Sequence, residues 1–235
     1  MPLTQFDNIE QIRKAISSKK IIITPTVIKG WGNQAPPFHY VVYEKSGKSI
    51  VIEPLNGKLI IHDNPLGVIT NSPSFDWHMT NLRNYVNLSP YSPNQLNLDN
   101  IEFKPLGQGA GSLGLPGDFT PPSRFVRAAI FSSSVDNPLD NKQSILTVFH
   151  VLNNFDIPVG AARSKENGKT YADYTMFTSA RDPQQLTYYF KTYQDQSIRA
   201  ASINAMNLNS AAISILKIES KQTIADVSAN FKSMK

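Results

Sequence analysis

Hydrophobic and polar positions repeat with two different periods along the chain, which predicts helices interspersed with antiparallel strands. Apolar residues recur at helical spacing in four stretches: 7–19, 75–88, 123–131 and 141–153. Asp7 or Asn8 can cap the first of these helices, and Ser72 or Ser74 the second. β-Branched and aromatic runs predict strands at residues 21–27, 38–44, 49–54, 58–62, 67–70, 171–180, 185–193, 198–206 and 211–218.

Turn signals separate these elements and determine the predicted fold class. Asn56-Gly57 is typical of a type I′ hairpin, because both central residues of that turn need a positive φ. Residues 89–106 are polar, residues 107–124 are rich in Gly and Pro, and both stretches are predicted to be loops. Helices and strands in segregated groups predict an α+β fold with helices packed on antiparallel sheet. Neither a linker nor a repeat divides the chain, so a single domain over residues 1–235 is expected.

Composition excludes several classes of protein. The chain has 235 residues, 40% of them hydrophobic, which is incompatible with wholesale disorder. Its apolar runs are far shorter than the ~20 residues of a bilayer-spanning helix, so no membrane span is expected. The absence of cysteine from the sequence excludes a disulfide scaffold, thiolate zinc sites and a cysteine nucleophile within these residues.

The positive charge of the chain does not by itself indicate a nucleic-acid partner. The formal net charge is +5 and the isoelectric point is about 9.3. Lys and Arg residues are dispersed along the sequence instead of concentrated in one segment. A solvated basic surface is therefore favoured over a nucleic-acid interface.

Two further patterns are weak evidence for cofactor or metal chemistry. Gly109, Gly111 and Gly114 form a G-x-G-x-x-G pattern, but Pro-rich sequence replaces the helix that a dinucleotide site requires after it. A constrained loop that brings backbone close to a neighbour is the preferred interpretation. The histidines lack metal-ligand spacing and are expected to be structural; they are His39, His62, His78 and His150.

Asn71 and Arg124 are the candidate functional residues. Asn71 lies where a predicted strand meets a helix, so its amide is either a fixed donor for a developing oxyanion or a helix cap. Arg124 follows the constrained run 115–123, which suits an anion-binding or orienting role. The alternatives for Arg124 are a salt bridge to Asp118 or a plain surface position.

Two long stretches resemble the choloylglycine hydrolase family, which includes conjugated bile salt hydrolases and penicillin V acylases. The first is GVITNSPSFDW at residues 67–77, continued by Asn81-Leu82 and Tyr85. The second is GQGAGSLGLPGDFTPPSRF at residues 107–125. Residues 171–176 and 188–193 also resemble late strands of the family. The resemblance covers nearly the whole chain.

This resemblance implies a fold and a chemistry. The family has the N-terminal-nucleophile hydrolase fold, an αββα sandwich of two antiparallel sheets between helical layers. Its members hydrolyse linear amide bonds with an N-terminal cysteine whose own α-amine is the base, and they use no metal or organic cofactor. Asn71 matches the oxyanion-hole asparagine of the family, and Arg124 matches the arginine beside the nucleophile. The implied partner is a small N-acyl amide: a conjugated bile salt, penicillin V or an N-acyl homoserine lactone. A homotetramer is common in the family.

One departure from the family pattern is severe. The nucleophilic cysteine and the Arg and Asp that follow it closely have no counterpart in this chain. Aligned by motif, the chain corresponds to the C-terminal two-thirds of such an enzyme, so we expect a domain that is truncated at its N-terminal side and inactive by itself. The alternative is a non-catalytic protein of the same fold that binds acyl ligands, and no compartment is predicted.

Overall fold

The computed structural model describes residues 5–28, 35–36, 38–218 and 221–232. The chain divides into two compact units, Met1–Asn137 and Pro138–Lys235, which are described separately; the single domain over 1–235 stays a prediction. The helices in the described ranges are α1 (Ile9–Ser17), α2 (Phe75–Asn81), α3 (Pro121–Ser134) and α4 (Asn141–Asn153). The strands there are β1 (Tyr40–Tyr43), β2 (Ser49–Leu55), β3 (Lys58–Asp63), β4 (Leu96–Leu98), β5 (Ile101–Phe103), β6 (Ala162–Glu166), β7 (Lys169–Asp173), β8 (Phe177–Asp182), β9 (Thr187–Thr192) and β10 (Asp195–Ser202).

The first unit is built around an antiparallel sheet with strand order β1-β2-β3. The hairpin between β2 and β3 turns at Asn56 and Gly57, whose φ angles are 51° and 73°. Two consecutive positive φ values are the signature of the type I′ turn, so the predicted hairpin is confirmed.

The central strand β2 contributes side chains to two hydrophobic clusters, one on each face of the sheet. Ile50 and Ile52 pack with Ile9 and Ile12 of α1. Val51 points to the opposite face and joins the cluster formed with α2 and α3, which contains Val68, Phe75, Phe125 and Ala129. The sheet of this unit therefore lies between α1 on one side and α2 with α3 on the other.

The second unit contains an antiparallel sheet of order β10-β9-β8 and a separate hairpin, β6-β7. Helix α4 packs against β8. Phe149 of α4 and Phe190 of β9 are buried apolar residues of this unit. Both units combine helices with antiparallel strands, so the predicted α+β class is confirmed.

Three predicted strands are wrong, because the structure has no strand at residues 21–27, 67–70 or 211–218. A strand exists only where its backbone bonds to a neighbour, and β-branched composition alone does not provide one. Conversely, the predicted loop 89–106 contains the exposed hairpin β4-β5, which turns at Asp99 and Asn100 with positive φ. The predicted strand 171–180 is interrupted between β7 and β8, and β6 was not predicted.

The Gly-rich segment is the constrained loop expected from sequence. Gly111 lies against the backbone, where a Cβ would stand 2.0 Å from the Tyr91 carbonyl oxygen and 2.4 Å from that of Ser89. The Ser89 N–H also donates to the Gly111 carbonyl at 3.0 Å. The glycine therefore serves close backbone approach within the protein, and any side chain at this position is sterically excluded.

A compact hydrogen-bonded loop fixes the start of α3. The Asp118 carboxylate accepts hydrogen bonds from the Thr120 N–H at 2.9 Å and from the hydroxyls of Thr120 and Ser123. These bonds, that from Ser123 first, lower the pKa of Asp118 to about 2. The buried Arg127 guanidinium donates to the carbonyls of Pro116 and Asp118, both at 2.7 Å. Residues of α3 thus bond both the Asp118 side chain and the main chain of this loop.

Within the described ranges, the structure contains no helix that is long and apolar enough to cross a membrane.

We expect Ile12→Ala to lower the free energy of unfolding by about 2–5 kcal/mol, because it leaves a cavity between α1 and the sheet. Ile12 is only 3% exposed, whereas Ile22 is 80% exposed and provides a matched control. Ile22→Ala should change stability by less than about 0.5 kcal/mol. Urea unfolding followed by circular dichroism measures both, and equal effects would contradict the described packing of α1.

We expect Asp118→Asn to destabilise the protein more at about pH 6 than at about pH 2.5. The folded-state pKa lies below the unfolded value, so the carboxylate stabilises the fold above the unfolded pKa and loses that effect as pH falls toward 2. Melting temperatures of the native protein and the variant across this range test the linkage. Asp99→Asn in the exposed β4-β5 turn is the control. Parallel pH profiles for Asp118→Asn and the native protein would refute the predicted contribution of the Asp118 carboxylate to stability.

Candidate functional site

The two residues singled out from the sequence lie in direct contact in the first unit. Arg124 Nη2 donates to Asn71 Oδ1 at 2.9 Å. Arg124 Nε donates at the same time to the main-chain oxygen of Phe119 at 3.0 Å. Arg124 belongs to the first turn of α3, and Asn71 belongs to the segment that leads into α2. The packing of α2 and α3 against the sheet therefore brings together two residues that are 53 positions apart in sequence.

This contact fixes the orientation of the Asn71 amide. A guanidinium group can only donate, so the atom of the carboxamide that faces it is the oxygen. The amide NH₂ then points away from Arg124, and the exposed position of Asn71 leaves its N–H groups accessible from solvent. The result is a preoriented pair of N–H donors beside a fixed cation.

The observed contacts do not match a helix cap for Asn71 or a salt bridge to Asp118 for Arg124. Ser74, and not Asn71, occupies the N-cap position of α2. The carboxylate of Asp118 is engaged by Thr120 and Ser123, while Arg124 binds Asn71 and Phe119.

The guanidinium of Arg124 is a half-buried positive charge. Burial lowers its pKa, and the nearby charge of Arg127 lowers it further. An arginine nevertheless stays protonated in proteins, so the site keeps its cation at every physiological pH. Such a charge favours an anion, and in particular a thiolate, in its vicinity.

A buried carboxylate anchors the helix that follows Asn71. Glu53 of β2 has a fully buried side chain, and its Oε1 accepts a hydrogen bond from the N–H of Phe75 at 2.8 Å. Two imidazoles flank it: His39 Nδ1 lies 2.9 Å from Oε1, and His62 Nε2 lies 3.2 Å from Oε2. Ser74 makes no capping bond with its side chain, so Glu53 provides the cap at the start of α2.

The same cluster contains the donor types of a divalent-metal site. Ligand atoms of Glu53, His62 and Asp76 lie within 4.8 Å of one another. Asp76 Oδ1, however, accepts from the Trp77 N–H at 2.9 Å and from the Ser74 hydroxyl. Glu53 Oε2 and His62 Nε2 face each other at 3.2 Å without a hydrogen bond, and no metal role is assigned to the cluster.

A buried cation in the second unit is fully satisfied by its surroundings. Lys191 of β9 places its Nζ 2.6 Å from Asn153 Oδ1, 2.7 Å from Gln196 Oε1 and 3.2 Å from Asp156 Oδ2. An ammonium group has three N–H donors, and these three oxygens match that number. We therefore interpret Lys191 as a structural residue whose hydrogen bond to Asn153 connects β9 with the end of α4.

Sequence reasoning missed Glu53 and His78 as parts of the site. Nε2 of the buried His78 lies 2.7 Å from the main-chain oxygen of Asn71. Signals for both were present in the sequence. A charged residue inside the β-branched run 50–53 indicates a paired buried charge. A histidine three residues after Phe75 lies on the apolar face of its helix.

Comparison with known proteins shows to which family the chain belongs. The sequence matches the linear amide C–N hydrolases of the choloylglycine hydrolase family over residues 2–216. It is 34% identical over 225 residues to the bile salt hydrolase/transferase of Clostridium perfringens. It is 43% identical over 171 residues to an uncharacterized protein of Paramecium bursaria Chlorella virus 1. Penicillin V acylase of Pectobacterium atrosepticum is 25% identical over 230 residues.

The chain spans only part of these relatives. The matches cover 96% of this chain and 67% of the Clostridium protein, and 71% of this chain and 58% of the viral protein. The Pectobacterium match covers 92% of this chain and 54% of that acylase.

Solved structures show the same fold. A cysteine-to-alanine variant of conjugated bile acid hydrolase from Clostridium perfringens matches with a TM-score of 0.80 at 33% identity, over 95% of this chain and 66% of that chain. Penicillin V acylase from Agrobacterium tumefaciens matches with a TM-score of 0.63 at 21% identity, over 86% of this chain and 53% of that chain. The predicted N-terminal-nucleophile hydrolase fold is thus confirmed, and the chain belongs to the choloylglycine hydrolase family of linear amide C–N hydrolases.

Proposed function

We infer that this chain provides the charge-stabilising part of the active site of a cysteine-dependent hydrolase of linear amide bonds. In this proposal the Asn71 NH₂ donates to the oxyanion of the tetrahedral intermediate. Arg124 holds the amide and places positive charge beside the nucleophile. The observation that carries the proposal is the Arg124–Asn71 hydrogen bond, because it aims two amide N–H donors away from the protein before any substrate arrives.

The reaction follows from these roles. A thiolate attacks the amide carbonyl carbon, a C–S bond forms, and the carbonyl oxygen takes the negative charge. Asn71 stabilises that oxygen through its amide N–H groups. The intermediate then collapses, the C–N bond breaks, and the amine leaves with the proton that the α-amine of the cysteine took from the thiol. Water hydrolyses the resulting thioester and releases the carboxylic acid.

The nucleophile is the part of the reaction that these residues do not provide. The sequence contains no cysteine, so the thiol has to come from polypeptide outside the 235 residues. An internal serine or threonine lacks the free α-amine that activates the nucleophile in this class of enzyme. We therefore propose that the 235-residue chain does not hydrolyse amides by itself.

The proposed substrate is an N-acyl amide with a bulky acyl group. Bile salt hydrolase and penicillin V acylase relatives support this class by similarity. Conjugated bile salts, penicillin V and N-acyl homoserine lactones all belong to it. A homotetramer is the assembly proposed from the resemblance to the family. The competing proposal is a protein that binds the acyl ligand without cleaving it.

The decisive experiment compares the 235-residue chain with the longest chain encoded in frame through it. Release of primary amine from glycine-conjugated bile salts and from penicillin V measures hydrolysis, and calorimetry with the same compounds measures binding. Turnover by the longer chain alone, lost when its first cysteine becomes alanine, is the expected result. Binding without turnover by either chain would favour the acyl-ligand-binding alternative.

In the longer, active chain we expect Asn71→Ala to lower kcat by about 10²–10³-fold with little change in KM. The variant removes a donor that acts mainly on the negative charge of the intermediate, not on the ground-state carbonyl. Steady-state kinetics with a conjugated bile salt provide the measurement. Asn97→Ala, an exposed asparagine of β4, is the matched control, and unchanged turnover of Asn71→Ala would eliminate the oxyanion role.

We expect Arg124→Lys to lower kcat less than Asn71→Ala but by at least about tenfold. Lysine keeps the charge, yet its single ammonium cannot reproduce the two bonds from separate nitrogens to Asn71 and Phe119. Titration of the nucleophilic thiol separates the two proposed contributions of Arg124, which are the orientation of the Asn71 amide and the positive charge beside the thiolate. A normal thiol pKa with reduced kcat indicates a misaligned Asn71, whereas native kcat in the variant contradicts the requirement for the fork-shaped guanidinium.

A further inference from the structure

The imidazole of His78 lies buried between α2 and α3, directly behind Asn71. His78 is 1% exposed. Its ring stacks on Phe125 of α3 with centroids 4.7 Å apart and planes inclined by 9°. The Trp77 ring meets it edge-on at 5.5 Å. These aromatic neighbours hold the plane of the imidazole, and therefore also the direction of its nitrogen atoms.

One of these nitrogen atoms is directed at the backbone of Asn71. Nε2 of His78 lies 2.7 Å from the Asn71 main-chain oxygen. A carbonyl oxygen only accepts, so Nε2 carries the proton and the tautomer is determined by the contact. Burial lowers the pKa of His78, which keeps the ring neutral at neutral pH.

The residue before Asn71 links the same point to α3. The hydroxyl of Thr70 lies 3.2 Å from Nε2 of His78 and donates to the Pro121 carbonyl, also at 3.2 Å. Pro121 is the first residue of α3. The segment 70–71 is therefore bonded to both helices of the site, through the Thr70 hydroxyl to α3 and the Asn71 main chain to α2, in addition to the side-chain bond from Arg124.

We propose that His78 is a positioning residue for Asn71. Its Nε2–H fixes the peptide carbonyl of Asn71, and so the point and direction from which the side chain leaves the backbone. Arg124 fixes the other end of that side chain at Oδ1. With both ends held, the amide N–H groups need no rearrangement when negative charge develops. The catalytic consequence rests on the proposed function, in which Asn71 donates to the oxyanion.

A purely structural role for His78 would depend on its ring and not on its N–H. The two roles are separated by a pair of variants. His78→Phe keeps an aromatic ring to stack on Phe125 but removes the donor. His78→Gln removes the ring but retains an N–H donor at a similar distance from the backbone. If His78 acts by positioning, the orientation of Asn71 is disturbed in His78→Phe and restored in His78→Gln. If it acts by packing, His78→Phe resembles the native protein and His78→Gln is disturbed.

The first measurement uses the 235-residue chain and needs no activity. In ¹⁵N-labelled protein, we expect the nitrogen shifts of His78 to show the neutral Nε2–H form with a slowly exchanging ring proton. The side-chain NH₂ signals of Asn71, assigned by their loss in Asn71→Asp, should shift or broaden in His78→Phe and return in His78→Gln. A neutral Nδ1–H form in the native chain, or native-like Asn71 signals in His78→Phe, would overturn the proposal. The native-chain measurement decides even if the Phe variant does not fold.

The second measurement uses the longer, active chain. His78→Phe should lower kcat by about 10–100-fold with KM nearly unchanged, because a small displacement of a reacting group has an effect of this order. His78→Gln should recover most of the loss. Displaced Asn71 signals together with full activity of Asn71→Ala would leave the positioning intact and remove the proposed function. Loss of activity in Asn71→Ala together with native kcat in His78→Phe would support the proposed function and contradict the positioning role of His78.

Discussion

The fully buried carboxylate of Glu53 is the constraint on which the candidate site depends. A carboxylate removed from water without partners costs several kcal/mol, so the fold must bring compensating groups to it. His62 Nε2 lies 3.2 Å from Oε2 without a hydrogen bond, and the compensating groups, both at Oε1, are His39 Nδ1 and the N–H of Phe75. Because the last of them is the first N–H of α2, the helix can begin only where it meets β2. The sheet thereby fixes the helix that follows the Asn71 segment.

Two further contacts, one from each helix, determine the orientation of Asn71. Helix α2 carries His78, which binds the main chain of Asn71, and α3 carries Arg124, which binds its side chain. The helices are themselves packed together through Phe75 and Phe125, whose ring centroids lie 6.0 Å apart. Every one of these contacts lies within the unit Met1–Asn137. The proposed oxyanion donor is therefore oriented by residues that do not include the nucleophile.

The sequence predicted the elements that have strong local signals. Helix α4 has the predicted bounds, and the Asn56-Gly57 hairpin forms as expected, since periodicity and turn chemistry act over a few residues. Strands predicted from composition alone are absent at residues 21–27 and 211–218, because a strand forms only where its backbone pairs with a neighbouring strand. The exposed hairpin β4-β5 was missed because its strands have three residues each and pack on no core, so their apolar–polar alternation is too short to be a signal.

The candidate site shows the same division between local and long-range information. Asn71 and Arg124 were singled out from their motifs, but their hydrogen bond joins residues 53 positions apart and depends on helix packing. The role of Glu53 as the cap of α2 was equally invisible, because local reasoning assigned that task to Ser72 or Ser74. Capping from a distant strand is a tertiary property, so a sequence window around the helix contains no trace of it.

The placement of polar groups in this core is itself informative about function. Burying polar groups costs free energy that apolar side chains of the same size do not cost, so Glu53, His39 and His62 are an expensive way to fill space. His78 likewise puts a hydrogen-bonding ring between those of Trp77 and Phe125. Departures from apolar packing are expected where geometry matters more than stability. Here they lie on the β2–α2–α3 contact that orients Asn71, which is where a preorganised donor would require them.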